Sequence, residues 1–379
     1  MVAYVHSTGH RILSAGAPSA ALCRAPRPPA ALQRGRRPRQ PKLNMIQGEE
    51  QPSEATGNVL SLVSRRLKVY SGSSNAALTE RVSQLLGNEA PDEVICRQFA
   101  DGERYIRIVN SVRGCNVFVV QSTCDPVNEH LMELLLMVDA CRRAHASQII
   151  AVLPYYGYAR ADRIIDPDHK RREALTSKLV SNLICESGAD RVILVEIHSP
   201  QSCGFFDIPV EHIYALPVLT AYVKSQYASF NELVVVSPDT GGVARARAYA
   251  KDLQDAPLAI VDKRRPNRTS AEVVNLVGDV EGRTAVIVDD LIDTASTITV
   301  AAELLRERGA ARVIALATHG VFSGPAIERL SSGLLEEVIV TDTVPVPEHK
   351  RFPQLRIVSC ASLISDVILR VHEETSHYF

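Results

Sequence analysis

Residues 284–297 read TAVIVDDLIDTAST, and the order of residue types in this stretch decides the fold. Thr284, Ala285, Val286, Ile287 and Val288 have the apolar character of a strand buried on both faces of a parallel sheet. Two acids, Asp289 and Asp290, stand at its carboxyl end, followed by a loop of small and hydroxylated residues: Asp293, Thr294, Ala295, Ser296 and Thr297. Behind the loop, Ile298, Ala302 and Leu305 recur at helical spacing. This order sets the loop's backbone N–H groups at a helix N-terminus, where unpaired donors and the helix dipole favour a phosphate. Open α/β sheets bind ligands beyond the carboxyl ends of their strands. A carboxylate there accepts hydrogen bonds from the vicinal hydroxyls of a sugar while the loop holds that sugar's phosphate. Two adjacent acids alone would read as a helix cap and a solvated side chain. With the loop and helix behind them, they describe a pocket for ribose 5-phosphate.

The chain of 379 residues carries almost no net charge, −1, but the charge is unevenly spread. Residues 1–48 contain no Asp or Glu and carry Arg11, Arg24, Arg27, Arg34, Arg36, Arg37, Arg39 and Lys42 among Ala, Ser and Pro. An acid-free, Arg-rich leader of this kind reads as an organelle transit peptide. The alternative is a basic arm for nucleic acid, but only Tyr4 offers an aromatic ring for stacking. With those eight set aside, 34 basic residues face 43 acidic ones, a net charge of −9. Attraction for phosphates must then be local, and neither nucleic acid nor a membrane is an expected partner. No run approaches the length of about 20 apolar residues that a membrane-spanning helix needs. The eight cysteines show neither CxxC pairs nor a zinc spacing, which suits reduced, mostly buried thiols.

Four further stretches carry information. Residues 68–82, KVYSGSSNAALTERV, run from a short strand through Ser71, Gly72, Ser73 and Ser74 into a helix capped at Ser74 or Asn75. Phe99, Ala100, Asp101, Gly102 and Glu103 form a turn between 94–98 and the alternating segment 104–109, an ordinary hairpin in its own right. NVFVVQS (116–122), a helix with Leu131, Leu134, Leu135 and Val138 on one stripe, and AHASQIIAVLPYYG (144–157) repeat the strand, helix, strand order of 284–321. The halves therefore look duplicated, and only the second keeps the acid pair and phosphate loop. RVILVEIHS (191–199) and ELVVVSPDTGG (232–242) are strands with polar ends. Glu196 stands two positions before His198, on the same face of a strand, which points to a hard cation or phosphate.

The DDxxDTxxT loop resembles the ribose-phosphate loop of the type I phosphoribosyltransferase fold. EIHSPQSCGFFDIPVEHIY (196–214) and SPDTGG (237–242) resemble, more narrowly, the phosphoribosyl pyrophosphate synthetases, over nearly all of the chain from Leu67 onward. Against that family's usual pattern Ser296 replaces Gly, Glu196 and Glu211 replace Asp, Cys203 replaces a polar residue or Met, and Ala161 replaces Gln. The segment after Arg163 is about four residues longer, adding Asp166, Asp168 and His169. Plastid-type plant members are similar at Ala161, which supports the transit-peptide reading and implies a plastid rather than a mitochondrion.

The resemblance implies transfer of a diphosphoryl group from ATP to the anomeric hydroxyl of ribose 5-phosphate, giving phosphoribosyl pyrophosphate and AMP with Mg²⁺ as cofactor. It implies Lys263 and Arg265, in VDKRRPNRTS, as catalytic residues that neutralise the reacting phosphates. Read without it, that basic triplet is a solvated loop. It also implies ATP contacts from Phe99, Asp101, Gly102, Glu103, Arg160 and Ala161. Ribose 5-phosphate contacts fall to Asp289, Asp290, Asp293, Thr294, Ala295, Ser296 and Thr297. His198 and Asp239, and less strongly Asp207, fall to the metal. A hexamer follows, with part of the ATP site supplied by a neighbouring subunit.

The expected fold is α/β, with two tandem phosphoribosyltransferase-like domains whose parallel sheets are flanked by helices. Residues 1–48 form the leader and 49–65 a linker. Residues 66–215 form the ATP side and 216–379 the ribose 5-phosphate side, whose last stretch packs back on the first domain. Two rivals compete. A base-transferring phosphoribosyltransferase leaves the DGE turn, the EIHS strand and the KRR loop without a role. A non-catalytic synthetase-associated subunit would lack the basic loop and the DDxxDTxxT pattern, which this chain keeps.

Overall fold

The computed structural model describes residues 66–164, 172–227, 232–264 and 273–373. The leader 1–48, the linker 49–65, Arg265, Asp166, Asp168 and His169 lie outside them. The first half runs β1 (Leu67–Ser71), α1 (Ala76–Leu85), β2 (Val94–Gln98), β3 (Arg104–Ile108), β4 (Asn116–Val120), α2 (Val127–Arg143), β5 (Gln148–Leu153), α3 (Thr176–Ser187), β6 (Arg191–Val195) and β7 (Val210–Ile213). It is followed by α4 (Leu216–Gln226). The second half runs β8 (Leu233–Ser237), α5 (Val243–Asp252), β9 (Leu258–Arg264), β10 (Val273–Val277), β11 (Thr284–Ile292), α6 (Ser296–Glu307), β12 (Arg312–Gly320), α7 (Ala326–Leu330), β13 (Glu337–Thr341) and β14 (Leu355–Val358). It is followed by α8 (Ala361–His372).

The two halves repeat the same order of elements, helix for helix and hairpin for hairpin. β1-β4-β5-β6-β7 form a parallel five-stranded sheet, and β8-β11-β12-β13-β14 form its counterpart in the same spatial order. In the second half the antiparallel pair β9–β10 joins the sheet beside β8 and makes it seven-stranded, while β2–β3 stands apart as a hairpin. Period-two alternation lets each strand feed two cores. Phe118 and Val120 of β4, with Val286 and Val288 of β11, face a central layer that also takes Leu78 and Val82 of α1, Leu219 and Val223 of α4, and Ile364 and Ile368 of α8. Val117 and Val119 face outward beneath α2 and α3. Ala285 and Ile287 face outward beneath α6 and α7.

The helix after each half is exchanged. α4 packs on β13 and β14 of the second sheet, where Tyr227 donates to Glu337 at 3.1 Å. α8 packs on α1 of the first half. The carboxyl ends of the two sheets are joined by buried and half-buried hydrogen bonds. Asn75 Nδ2 donates to the carbonyl of Asp342 (2.7 Å), Ser122 Oγ to that of Thr343 (2.6 Å), and His319 Nε2 to that of Glu196 (2.9 Å). The Thr343 hydroxyl donates in turn to His319 Nδ1 at 2.8 Å, which fixes the neutral tautomer.

Two local expectations need correction. The strand 284–288 extends to Ile292, because β12 runs alongside it and pairs Leu291 with His319 and Ile292 with Gly320. The acids therefore belong to the strand, and the loop shrinks to 293–295, with the helix starting at Ser296 rather than after Thr297. Secondly, β6 ends at Val195, and Glu196 has left-handed backbone with φ of 44°. The same-face argument for Glu196 and His198 fails because neither lies in the strand.

Ile368 is completely buried between the halves, so Ile368→Ala should cost about 3 kcal/mol of unfolding free energy in urea titration. Burial holds His319 down at about 4. A folded-state value below the usual 6.5 means that its contribution is complete above pH 6.5 and is lost as pH falls through 4. The wild type should lose about 2 kcal/mol more stability than His319→Gln between pH 7.5 and 5, and equal losses would refute this linkage.

Candidate active site

The carboxyl ends of β6, β8 and β11 and the segment after β5 surround a cavity of about 630 Å³. It is lined by Arg160, His198, Asp239 and Arg245 and by every member of the sequence-predicted loop: Asp289, Asp290, Asp293, Thr294, Ala295, Ser296 and Thr297. Its size suits a phosphorylated metabolite.

One wall is the β11–α6 turn. Ala295 precedes α6 in left-handed backbone, φ 61°, and no side chain caps the helix. The first helical bond is Thr299 N–H to the Ala295 carbonyl at 2.9 Å. The earlier N–H groups of α6 thus form an anion-binding terminus without an internal side-chain acceptor. The turn is braced from outside, by Arg329 Nη1 donating to the Thr294 carbonyl (2.8 Å) and Ser323 N–H to that of Asp293 (2.9 Å).

The acid pair is asymmetric. Asp290 is buried and accepts from His198 Nδ1 at 2.7 Å. Burial works against its charge, but that hydrogen bond and the nearby Arg245 guanidinium outweigh it and hold Asp290 below the usual carboxylate range. Asp289, less covered by its neighbours, accepts from the Asp290 N–H at 2.9 Å. Burial and the adjoining negative charge push it well up. His198 is raised by its bond to Asp290. The two acids expected to share one task therefore differ, with Asp290 committed to His198 and Asp289 turned to the cavity.

Arg245 lies in the first turn of α5. Its guanidinium lies at 3.1 Å from Glu196, 3.5 Å from Asp290 and 3.7 Å from Asp289. No spacing rule connects residues 196, 245 and 289, so only the fold reveals this cluster. His319, which pins the Glu196 carbonyl, was likewise unpredicted.

The remaining predicted residues scatter. Arg160 reaches across to Asp293 at 2.6 Å, linking the two halves over the cavity. Arg160 and Ala161 also line a second depression with Tyr155, Gly157, Tyr158 and Thr176. Phe99, Asp101, Gly102 and Glu103 sit at the tip of β2–β3 and line neither cavity. There Gly102 adopts φ 96°, the Asp101 carboxylate accepts from the Glu103 N–H at 3.1 Å, and exposed Phe99 stands edge-on to Tyr105 at 5.8 Å. Lys263 lies in β9 opposite Val274. Asp239 is exposed at the cavity and accepts from the Gly242 N–H at 2.9 Å. Asp207 lies elsewhere, exposed and 3.7 Å from Lys178. Among the described residues no three His, Cys, Asp or Glu side chains form a ready-made metal cluster.

Residues 67–188 match the family model described as the N-terminal domain of ribose phosphate pyrophosphokinase, and residues 258–379 match the phosphoribosyl synthetase-associated domain. A ribose-phosphate pyrophosphokinase of Synechococcus elongatus is 60% identical over 312 residues, covering 82% of this chain and 92% of the relative. The chloroplastic ribose-phosphate pyrophosphokinase 2 of Arabidopsis thaliana is 58% identical over 311 residues, covering 82% and 76%. The crystal structure of phosphoribosylpyrophosphate synthetase from Mycobacterium smegmatis superposes with a TM-score of 0.76 at 44% identity, over 82% of this chain and 100% of that one. Sequence identity at this level, carried across both duplicated halves and the cleft between them, makes the chain a member of the ribose-phosphate pyrophosphokinase family.

Proposed function

We propose that the residues around the 630 Å³ cavity carry out the family's reaction, transfer of the ATP diphosphoryl group to the anomeric hydroxyl of ribose 5-phosphate, with phosphoribosyl pyrophosphate and AMP as products. The observation that carries this assignment is the juxtaposition of Asp289 with the uncapped N-terminus of α6 in one cavity. Asp289 accepts from the ribose hydroxyls, and the N–H groups of Ser296 and Thr297 with the hydroxyls around them hold the phosphate. Arg160 and Ala161 border the nucleotide, and Lys263 and Arg265 neutralise the phosphoryl oxygens during in-line attack. Such a transfer needs positioning and charge, not a covalent intermediate.

The donor set fits Mg²⁺, which keeps several waters and takes one or two carboxylates beside substrate phosphates. Asp239 leaves an exposed oxygen, and His198, held through Nδ1 by Asp290, leaves Nε2 in the carboxylate–histidine arrangement common behind metal ligands. When bound, the cation would offset the charge of the phosphate chain. Asp207 is the weakest of the three candidates, being exposed beside Lys178.

The hairpin tip with Phe99 lines neither cavity that Arg160 borders, and α2 and α3 expose Met132, Leu179 and Leu183. Both features support a homo-oligomer, a hexamer by family precedent, in which a neighbouring hairpin completes the nucleotide side. Residues 66–215 and 216–379 are the proposed domains. The acid-free leader together with chloroplastic relatives supports plastid import of this chain, with the mitochondrion as the alternative.

Protein lacking residues 1–48 should form AMP from ATP, Mg²⁺ and ribose 5-phosphate. Lys263→Ala should lower kcat by about a thousandfold, and Asp289→Asn should raise the KM for ribose 5-phosphate about tenfold with little change for ATP. A folded, oligomeric sample without turnover would favour the regulatory-subunit reading.

A further inference from the structure

We infer that Arg245 is a positioning residue for the ribose 5-phosphate pocket, the internal cation that lets Glu196, Asp289 and Asp290 stand together, and that Glu196 anchors Arg245 rather than a metal. This rests on the ribose 5-phosphate reading of the pocket. Arg245 projects from the first turn of α5, where the helix dipole disfavours a cation. Its placement there serves the carboxylates and not the helix.

The guanidinium divides its work by geometry. Nε donates to Glu196 Oε1 at 3.1 Å, and Nη1 faces Asp290 at 3.5 Å and Asp289 at 3.7 Å. The Arg245 side chain is 17% exposed and that of Glu196 only 3%, so the charges are poorly screened by water. A planar fork can address acids from two elements at once, where a lysine ammonium offers a point charge.

Glu196 has every polar group committed. Its N–H donates to the Ile213 carbonyl at 2.8 Å, and its carbonyl accepts from His319 at 2.9 Å. Oε2 accepts from the Ala215 N–H at 3.4 Å, and Oε1 accepts from Arg245. The φ of 44° turns the residue out of the strand direction, and a glutamate reaches one methylene further than the aspartate usual in the family. The longer side chain spans the gap to Arg245. Without Arg245, Glu196 would lose its cation and Asp290 would be left with His198 alone, and Asp289 would lose the arrangement in which it meets the sugar.

The test compares wild type with Arg245→Met, Arg245→Lys, Glu196→Gln, Glu196→Asp and the double variant Arg245→Met/Glu196→Gln. It measures calorimetric ribose 5-phosphate binding, KM for each substrate, melting temperature, and Mn²⁺ binding by electron paramagnetic resonance. Arg245→Met should weaken ribose 5-phosphate binding about 30-fold while KM for ATP changes less than about threefold, and Arg245→Lys should restore only part of the loss. Adding Glu196→Gln to Arg245→Met should regain about threefold by removing an unpaired charge. Glu196→Gln alone should bind Mn²⁺ like wild type. If Arg245→Met does not fold, Glu196→Gln and Glu196→Asp carry the test, with KM for ribose 5-phosphate raised about fivefold at unchanged KM for ATP. Unchanged sugar-phosphate binding in folded variants, or a tenfold loss of Mn²⁺ affinity in Glu196→Gln, overturns the inference. Wild type that fails to bind ribose 5-phosphate overturns the pocket assignment itself, and this inference with it.

Discussion

The hydrogen bond from His319 to the carbonyl of Glu196 is the constraint on which the site depends. It ties the carboxyl end of β12 in one sheet to the residue just past β6 in the other. A neutral imidazole suits this position because a buried, charged ring would face a large desolvation cost, while a neutral one donates at Nε2 and accepts at Nδ1. Thr343 completes the pair, Thr341 and Thr318 enclose it, and Tyr155 covers the ring edge-on at 5.0 Å. With the two sheets fixed here, His198, Asp239, Asp289 and Arg160 converge on a single cavity.

Electrostatics then follows from topology. Parallel sheets collect strand carboxyl ends on one side, and this chain places acids at three of them. Crowded carboxylates can coexist only by sharing cations or protons. Asp290 relies on His198 and Arg245, and Asp293 on Arg160. Asp289 is left with the least compensation of the three, its carboxylate 3.7 Å from Arg245 and lining the cavity.

Much of this was legible in local sequence. The order of strand, acid pair, small-residue loop and helix at 284–305 was legible because each step has a short-range cause, and the repeat of strand, helix and strand revealed the duplicated sheets. The length of β11 was misjudged because pairing with β12, rather than hydrophobicity, carries the strand through two aspartates. The Glu196–His198 reading failed because the backbone turns at Glu196, and no residue type there announces a left-handed conformation. The contacts of Arg245 and His319 were not legible because their partners lie 49 and 123 residues away. Ala161 for Gln still has no structural explanation.

The exchanged helices have a consequence for ancestry. Each half closes its central face with the helix that follows the other half in the chain, α8 over α1 and α4 over β13 and β14. A single half, with its own trailing helix extended, could not cover its own apolar face. A one-half ancestor keeping this packing would have been a reciprocal dimer, each copy lending its last helix to its twin. Fusion into one chain would have freed the two copies to diverge, one keeping the acid pair and small-residue loop and the other losing them.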